Sequence, residues 1–113
     1  MKRFPSIKKN PEFREIYEKG KAKADRYLVL YVMKREQEGC RIGISTSKKI
    51  GNSVVRHRMA RVLREIFRLH KSDIEQGHDL VVVVRASAVG QPFQVIEKSY
   101  LHLLQLHGLL LCH

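Results

Sequence analysis

The chain has 113 residues, 43% apolar and 29% charged, and its 22 Lys and Arg against 11 Asp and Glu give a formal net charge of +11. That length supports one core, so a single domain over residues 1–113 is expected, and the apolar fraction excludes low-complexity disorder. The longest apolar runs, Tyr27 to Met33 and Leu80 to Val84, fall far short of the roughly 20 residues of a membrane span, and Met1 to Pro5 leads into polar residues rather than a secretory signal.

Asn10, Pro11 and Gly20 punctuate a first helix as N-cap, first turn and C-terminal stop, with Phe13, Ile16 and Tyr17 on one face. Lys19 to Lys23 reads as a basic connection. Tyr27 to Met33 is a predicted strand with Tyr27, Val29, Tyr31 and Met33 on one side and Leu28, Leu30 and Val32 on the other. After a charged turn from Lys34 to Gly39, Arg41 to Ser45 is a second strand with Ile42 and Ile44 on one face, and the two strands are expected to pair as a hairpin. The loop from Ser45 closes in Gly51-Asn52, a pair suited to capping the next helix.

That helix, from about Ser53 to His70, carries the clearest pattern. At about 100° per residue, Val55, Met59, Val62, Leu63, Ile66, Phe67 and Leu69 share one arc. His57, Arg61, Arg64 and Arg68 form a line on the opposite side, flanked by Arg56 and Arg58. Asp79 to Arg85 is apolar without alternation, which suits a central strand covered on both faces. Pro92 opens a last helix through about His107, stopped by Gly108, with Phe93, Ile96, Tyr100, Leu103 and Leu104 along one side. The order gives an α+β fold, a two-layer α/β sandwich of a small mixed sheet and three main helices.

Charge is concentrated. Residues 41–71 hold nine basic side chains and one acid, Glu65, so about a quarter of the chain carries +8 of the +11. A solvated helix face normally mixes signs, because like-charged groups three or four residues apart cost a few tenths of a kcal/mol per pair. Phosphate oxygens would offset that repulsion, and arginine is the residue suited to gripping them. Phe13, Tyr17, Tyr27 and Tyr31 have two readings, as ordinary core or as a platform for stacking single-stranded bases.

Six scattered histidines form no metalloprotease-type spacing, and the eleven acids are too dispersed for two-metal phosphodiester cleavage. Cys40 and Cys112 make no metal-type pair, and two free thiols in a reducing cytoplasm are expected. No catalytic and no metal-binding residue is assigned. Three classes remain open: an RNA-binding accessory subunit, a protein-only nuclease using the histidines, and a general nucleic-acid-binding module.

The run Arg41-Ile42-Gly43-Ile44-Ser45-Thr46-Ser47-Lys48-Lys49-Ile50-Gly51-Asn52-Ser53-Val54-Val55-Arg56-His57-Arg58, continuing through Arg61, Arg64 and Glu65, resembles the protein component of bacterial ribonuclease P. The Glu12-Phe13 to Tyr17 to Gly20 spacing, the Tyr31 strand and the Asp79-Leu80-Val81 strand are similar too. The likeness covers about residues 8–105 and leaves 106–113 unmatched. Two departures stand out: His57 sits where the family usually has Asn, and Ala60 where it often has a basic residue.

The resemblance implies a left-handed β-α-β crossover, a fold shared with some ribosomal protein domains, and a cytoplasmic ribonucleoprotein. Its RNA subunit would remove the 5′ leader of precursor tRNA with Mg²⁺ held mainly by RNA. It also implies that Lys48, Lys49, Arg56, His57, Arg58, Arg61, Arg64 and Arg68 face the RNA subunit, and that Phe13, Tyr17 and Tyr31 line a cleft for the leader. The partners implied are that RNA and precursor tRNA, with no membrane and no obligate protein partner.

Overall fold

A computed structural model describes residues 10–35 and 39–111. The side chain of Asn10, residues 36–38 of the charged turn, the amino-terminal residues and Cys112, on which expectations were placed, lie outside the described residues. The elements are α1 (Asn10–Lys19), β1 (Lys21–Ala24), β2 (Leu28–Lys34), β3 (Cys40–Ser45), α2 (Ser53–His70), β4 (His78–Val84) and α3 (Phe93–Leu106). The expected α+β class is the one observed: three helices on a mixed four-stranded sheet.

The sheet runs in the order β1-β2-β4-β3. β2 is antiparallel to β1 and β4, whereas β3 and β4 are parallel and joined through α2. Two expectations change here. β2 and β3 do not form a hairpin, because β4 lies between them. Its Leu-Val run needs neighbours on both edges and cover on both faces, which only the centre of the sheet supplies. The Lys19 to Lys23 connection contains the edge strand β1, whose four residues are all exposed. Lysines on a short edge strand discourage pairing with other chains and hide the strand from an apolar-pattern search.

Alternation along β2 assigns the two faces. Leu28, Leu30 and Val32 join Ile42, Leu80, Val82 and Val84 in the main core, under Met59, Leu63, Ile66 and Phe67 of α2 and Ile96, Tyr100, Leu103 and Leu104 of α3. Ile16 of α1 is buried against Val81 on the opposite face, with Phe13, Tyr31, Met33 and Val83 around them. Val81 and Val82 are therefore both fully buried, one under each layer. Tyr27 departs from its expected side. It precedes β2 and packs against the main core, apart from Tyr31. Gly20 also plays another part than a left-handed stop, since a Cβ there would come within 2.5 Å of the Ile16 carbonyl oxygen and 3.0 Å of that of Val32.

An ion cluster pins α1 to its face. Arg41 donates from Nε and Nη2 to the Asp79 carboxylate at 2.9 and 2.7 Å, and its Nη2 also lies 2.8 Å from Glu12 of α1. Arg35 pairs with the same carboxylate and reaches Glu15 of α1 at 2.8 Å. Burial alone would raise the Asp79 carboxyl, but hydrogen bonds from Arg41 and the charges of Arg41 and Arg35 hold it below the ordinary carboxylate range.

A carboxyl lowered in the folded state stabilises the fold above its unfolded pKa of about 4, and that contribution is lost as pH falls through the folded value. Asp79→Asn is therefore expected to cost roughly 3 kcal/mol at pH 7. The gap to the parent chain should narrow below about pH 4. Urea unfolding at both pH values checks this.

Candidate nucleic-acid interface

The basic helix is built as its sequence requires. Ile50 is buried at the end of a 3-10 turn, Lys48–Ile50, and so leaves Lys48 and Lys49 exposed. Gly51 follows at φ +152°, where a Cβ would sit 2.9 Å from the Val55 side chain. The Asn52 side chain then accepts a hydrogen bond from the Val55 backbone N–H at 3.0 Å, the cap read from the sequence. Met59, Leu63, Ile66 and Phe67 go into the core. Leu69, at the rim of the expected apolar arc, is instead 47% exposed.

His57, Arg58, Arg61, Arg64 and Arg68 are exposed, and Arg56 is half-buried with its Nε lacking an acceptor. Among the described residues, Arg56, Arg58, Arg61 and Arg64 have no carboxylate within ion-pair distance, nor do Lys48, Lys49 and Lys71. Two members of the basic stretch behave differently. Arg41 faces α1 and is neutralised by Asp79 and Glu12. Arg68 forms an exposed pair with Glu65 through two hydrogen bonds, one turn earlier on the helix. Arg68 raises no objection to a surface role, but its charge is partly spent.

The three aromatic side chains come together. Phe13 and Tyr17 have ring centroids 6.4 Å apart, and Tyr17 meets Tyr31 edge-on at 4.9 Å. Phe13 and Tyr31 are half-buried against Ile16 and Val81, and Tyr17 is 39% exposed. The cluster is core at its base, against Ile16 and Val81, and open to solvent at Tyr17. Strand register extends it. Ala22, Tyr31, Val81 and Gly43 form one row across this face of the sheet, and Ala24, Val29, Val83 and Ser45 form the next. The second row has no fully buried side chain, so a shallow apolar floor adjoins the aromatic ring edges.

Sequence reasoning missed the acidic partners of this face. Glu12 and Glu15 hold α1 in place through Arg41 and Arg35, and the tyrosine geometry depends on that placement. Only the proximity of Glu12 to Phe13 hinted at it. A further tie, His70, bridges Asp73 and Glu97 at 3.2 and 2.8 Å and joins the end of α2 to α3. Burial would lower this imidazole, yet the hydrogen bonds to Glu97 and Asp73 raise it above the ordinary histidine value.

An open guanidinium face together with a partly exposed aromatic cluster is the makeup of a nucleic-acid-binding domain. Comparison with known proteins makes the class specific. A family profile described as Ribonuclease P matches residues 1–107. The ribonuclease P protein component of Lachnoclostridium phytofermentans is 45% identical over 105 residues, covering 93% of this chain and 90% of that protein. The component from Bacillus cereus is 40% identical over 110 residues, 96% of each chain.

Among solved structures, the Staphylococcus aureus RNase P protein superposes with a TM-score of 0.87 at 38% identity, covering 96% of this chain and 99% of that one. The Thermotoga maritima RNase P protein does so with a TM-score of 0.83 at 29% identity, over 88% and 94%. The chain belongs to the ribonuclease P protein family.

The absence of internal partners makes a prediction for the protein alone. Arg64 has Arg61 and Arg68 as its basic neighbours along the helix, so Arg64→Gln is expected to raise the thermal midpoint by about 1–3 °C at low salt. The gain should disappear as added salt screens the repulsion. Thermal melts at two ionic strengths measure it.

Proposed function

We propose that this chain is the protein subunit of a ribonuclease P, binding the enzyme's RNA subunit and the 5′ leader of precursor tRNA while the RNA carries out the cleavage. The observation that carries the proposal is that Arg56, Arg58, Arg61 and Arg64 of α2 have no carboxylate partner among the described residues, on a chain of this family. A ribozyme and its tRNA substrate are both polyanions and repel each other. A compact cation placed between them lowers the Mg²⁺ needed to bring them together.

In this reading Lys48, Lys49, Arg56, Arg58, Arg61 and Arg64 supply phosphate contacts to the RNA subunit, His57 adds a hydrogen-bonding group, and Arg68 contributes once Glu65 is displaced. Phe13, Tyr17 and Tyr31 form the leader site. Leader bases stack on the exposed ring of Tyr17 and run along Val29 and Val83, each stacked base contributing about 1–3 kcal/mol. Holding the leader fixes the position of the bond to be cut.

Among the described residues, no group of three or more His, Cys, Asp or Glu side chains is placed to hold a metal ion. Glu12, Glu15 and Asp79, on the face that carries the aromatic cluster, are engaged by Arg41 and Arg35. In the proposal Mg²⁺ is held mainly by RNA and substrate phosphates. The chain's contribution is binding and positioning.

The test is leader release from precursor tRNA by a ribonuclease P RNA at low Mg²⁺, with and without the chain. Strong stimulation is expected, and none should be seen from the protein without RNA. No stimulation would overturn the proposal, and cleavage by the protein alone would reassign the chemistry to it. For the leader site, Phe13→Ala should weaken binding of a long-leader substrate about tenfold and leave leaderless tRNA nearly unchanged. Equal effects on both would return Phe13 to a packing role.

A further inference from the structure

One flank of α2, between the line of cations and the core face, is apolar and open. Val54, Val62 and Phe93 line an open cavity of about 650 Å³ together with His57, Arg58, Arg61 and Glu65. Positions 54, 58, 61, 62 and 65 follow one another down the helix within about a 100° sector, so the cavity is a groove along the helix axis. Val54 is 74% exposed, an apolar side chain that serves no packing purpose in the folded chain.

The charge around the groove is mainly positive. Arg58 and Arg61 have no carboxylate partner among the described residues, and Glu65, the acid that lines it, is occupied by Arg68. Two helix N-termini also converge there, since Val54 is the second residue of α2 and Phe93 the first of α3. Pro92 precedes α3 without a side-chain cap; the Val95 N–H donates to the Pro92 carbonyl at 3.0 Å, and no side chain caps the N–H groups of Phe93 and Gln94.

We propose that this groove receives an unstacked base of the RNA subunit, the ring packing between Val54, Val62 and Phe93 and the flanking phosphates resting on Arg58 and Arg61. The inference rests on the chain being an RNA-binding subunit and adds what the basic helix reads besides phosphate. A nucleotide brings a flat apolar ring and an adjoining anion in one unit, matching a groove lined by apolar side chains and guanidinium groups. An apolar helix of a protein partner matches less well, because covering the groove would desolvate two guanidinium groups with no counter-charge.

The experiment measures binding of the full-length chain to a ribonuclease P RNA transcript, as affinity and as the slope of log Kd against log salt. Val54→Ser removes a wall without touching charge or core, and Phe93→Leu removes the ring while keeping an apolar side chain. Each is expected to weaken binding about 5- to 10-fold with an unchanged salt slope, because no phosphate contact is lost. Thermal melts establish that each variant is folded.

Affinities within twofold of the parent for both folded variants would overturn the proposal, as would a loss of salt slope like that of an arginine substitution. Dissociation of a self-associated chain by Val54→Ser, with RNA affinity unchanged, would assign the groove to a second copy and overturn it as well. If the parent chain binds tightly and both variants match it, only the groove's occupant is wrong. If the parent chain itself fails to bind the transcript, the subunit reading falls with it.

Discussion

Like charges three residues apart on a helix repel, and α2 holds Arg58, Arg61 and Arg64 in that arrangement with no carboxylate within ion-pair distance among the described residues. The fold tolerates this because the opposite face is worth far more. Burying each of Met59, Leu63, Ile66 and Phe67 contributes about 1.5–3 kcal/mol, against a few tenths for each repulsive pair. The Asn52 cap and the buried Ile50 fix where the helix starts and so which residues face outward. The helix therefore tolerates the repulsion along its exposed basic face.

The same residue type has the opposite fate on the other side of the sheet. Arg41 and Arg35 are gathered onto the buried Asp79 and then onto Glu12 and Glu15, so their charges are consumed in orienting α1. That orientation brings Tyr17 edge-on to Tyr31. One set of arginines thus orients the aromatic cluster, and another set, without a carboxylate partner among the described residues, forms the cationic face. The division explains how a chain of +11 keeps a well-packed core: the positive charge that must be near the interior is neutralised there, and the excess is displayed on a helix facing water.

Much of this was legible in the amino-acid sequence, for local reasons. The extent of α2, its Asn52 cap, its core face and its basic face follow from helical periodicity, and the central place of β4 follows from unbroken Leu and Val. The failures are non-local. Neighbouring strands usually pair, and nothing between Lys34 and Cys40 says that β4 will separate β2 from β3. β1 has no apolar alternation to betray it. Arg41 looks like a member of the basic surface until Asp79, 38 residues later, is placed opposite it in the parallel register. The Arg68–Glu65 pair is the exception, a local i,i+3 contact that the spacing already contained.

The claim on which the rest depends is that the unpaired α2 arginines are completed by RNA phosphates. The slope of log Kd against log salt for a ribonuclease P RNA transcript tests it most directly, comparing the chain with an Arg58→Gln, Arg61→Gln, Arg64→Gln triple variant. Three lost phosphate contacts should make the slope shallower by about two to three. A triple variant that binds with the parent's slope and affinity would mean that these guanidinium groups face solvent in the complex and that the family's RNA is held elsewhere.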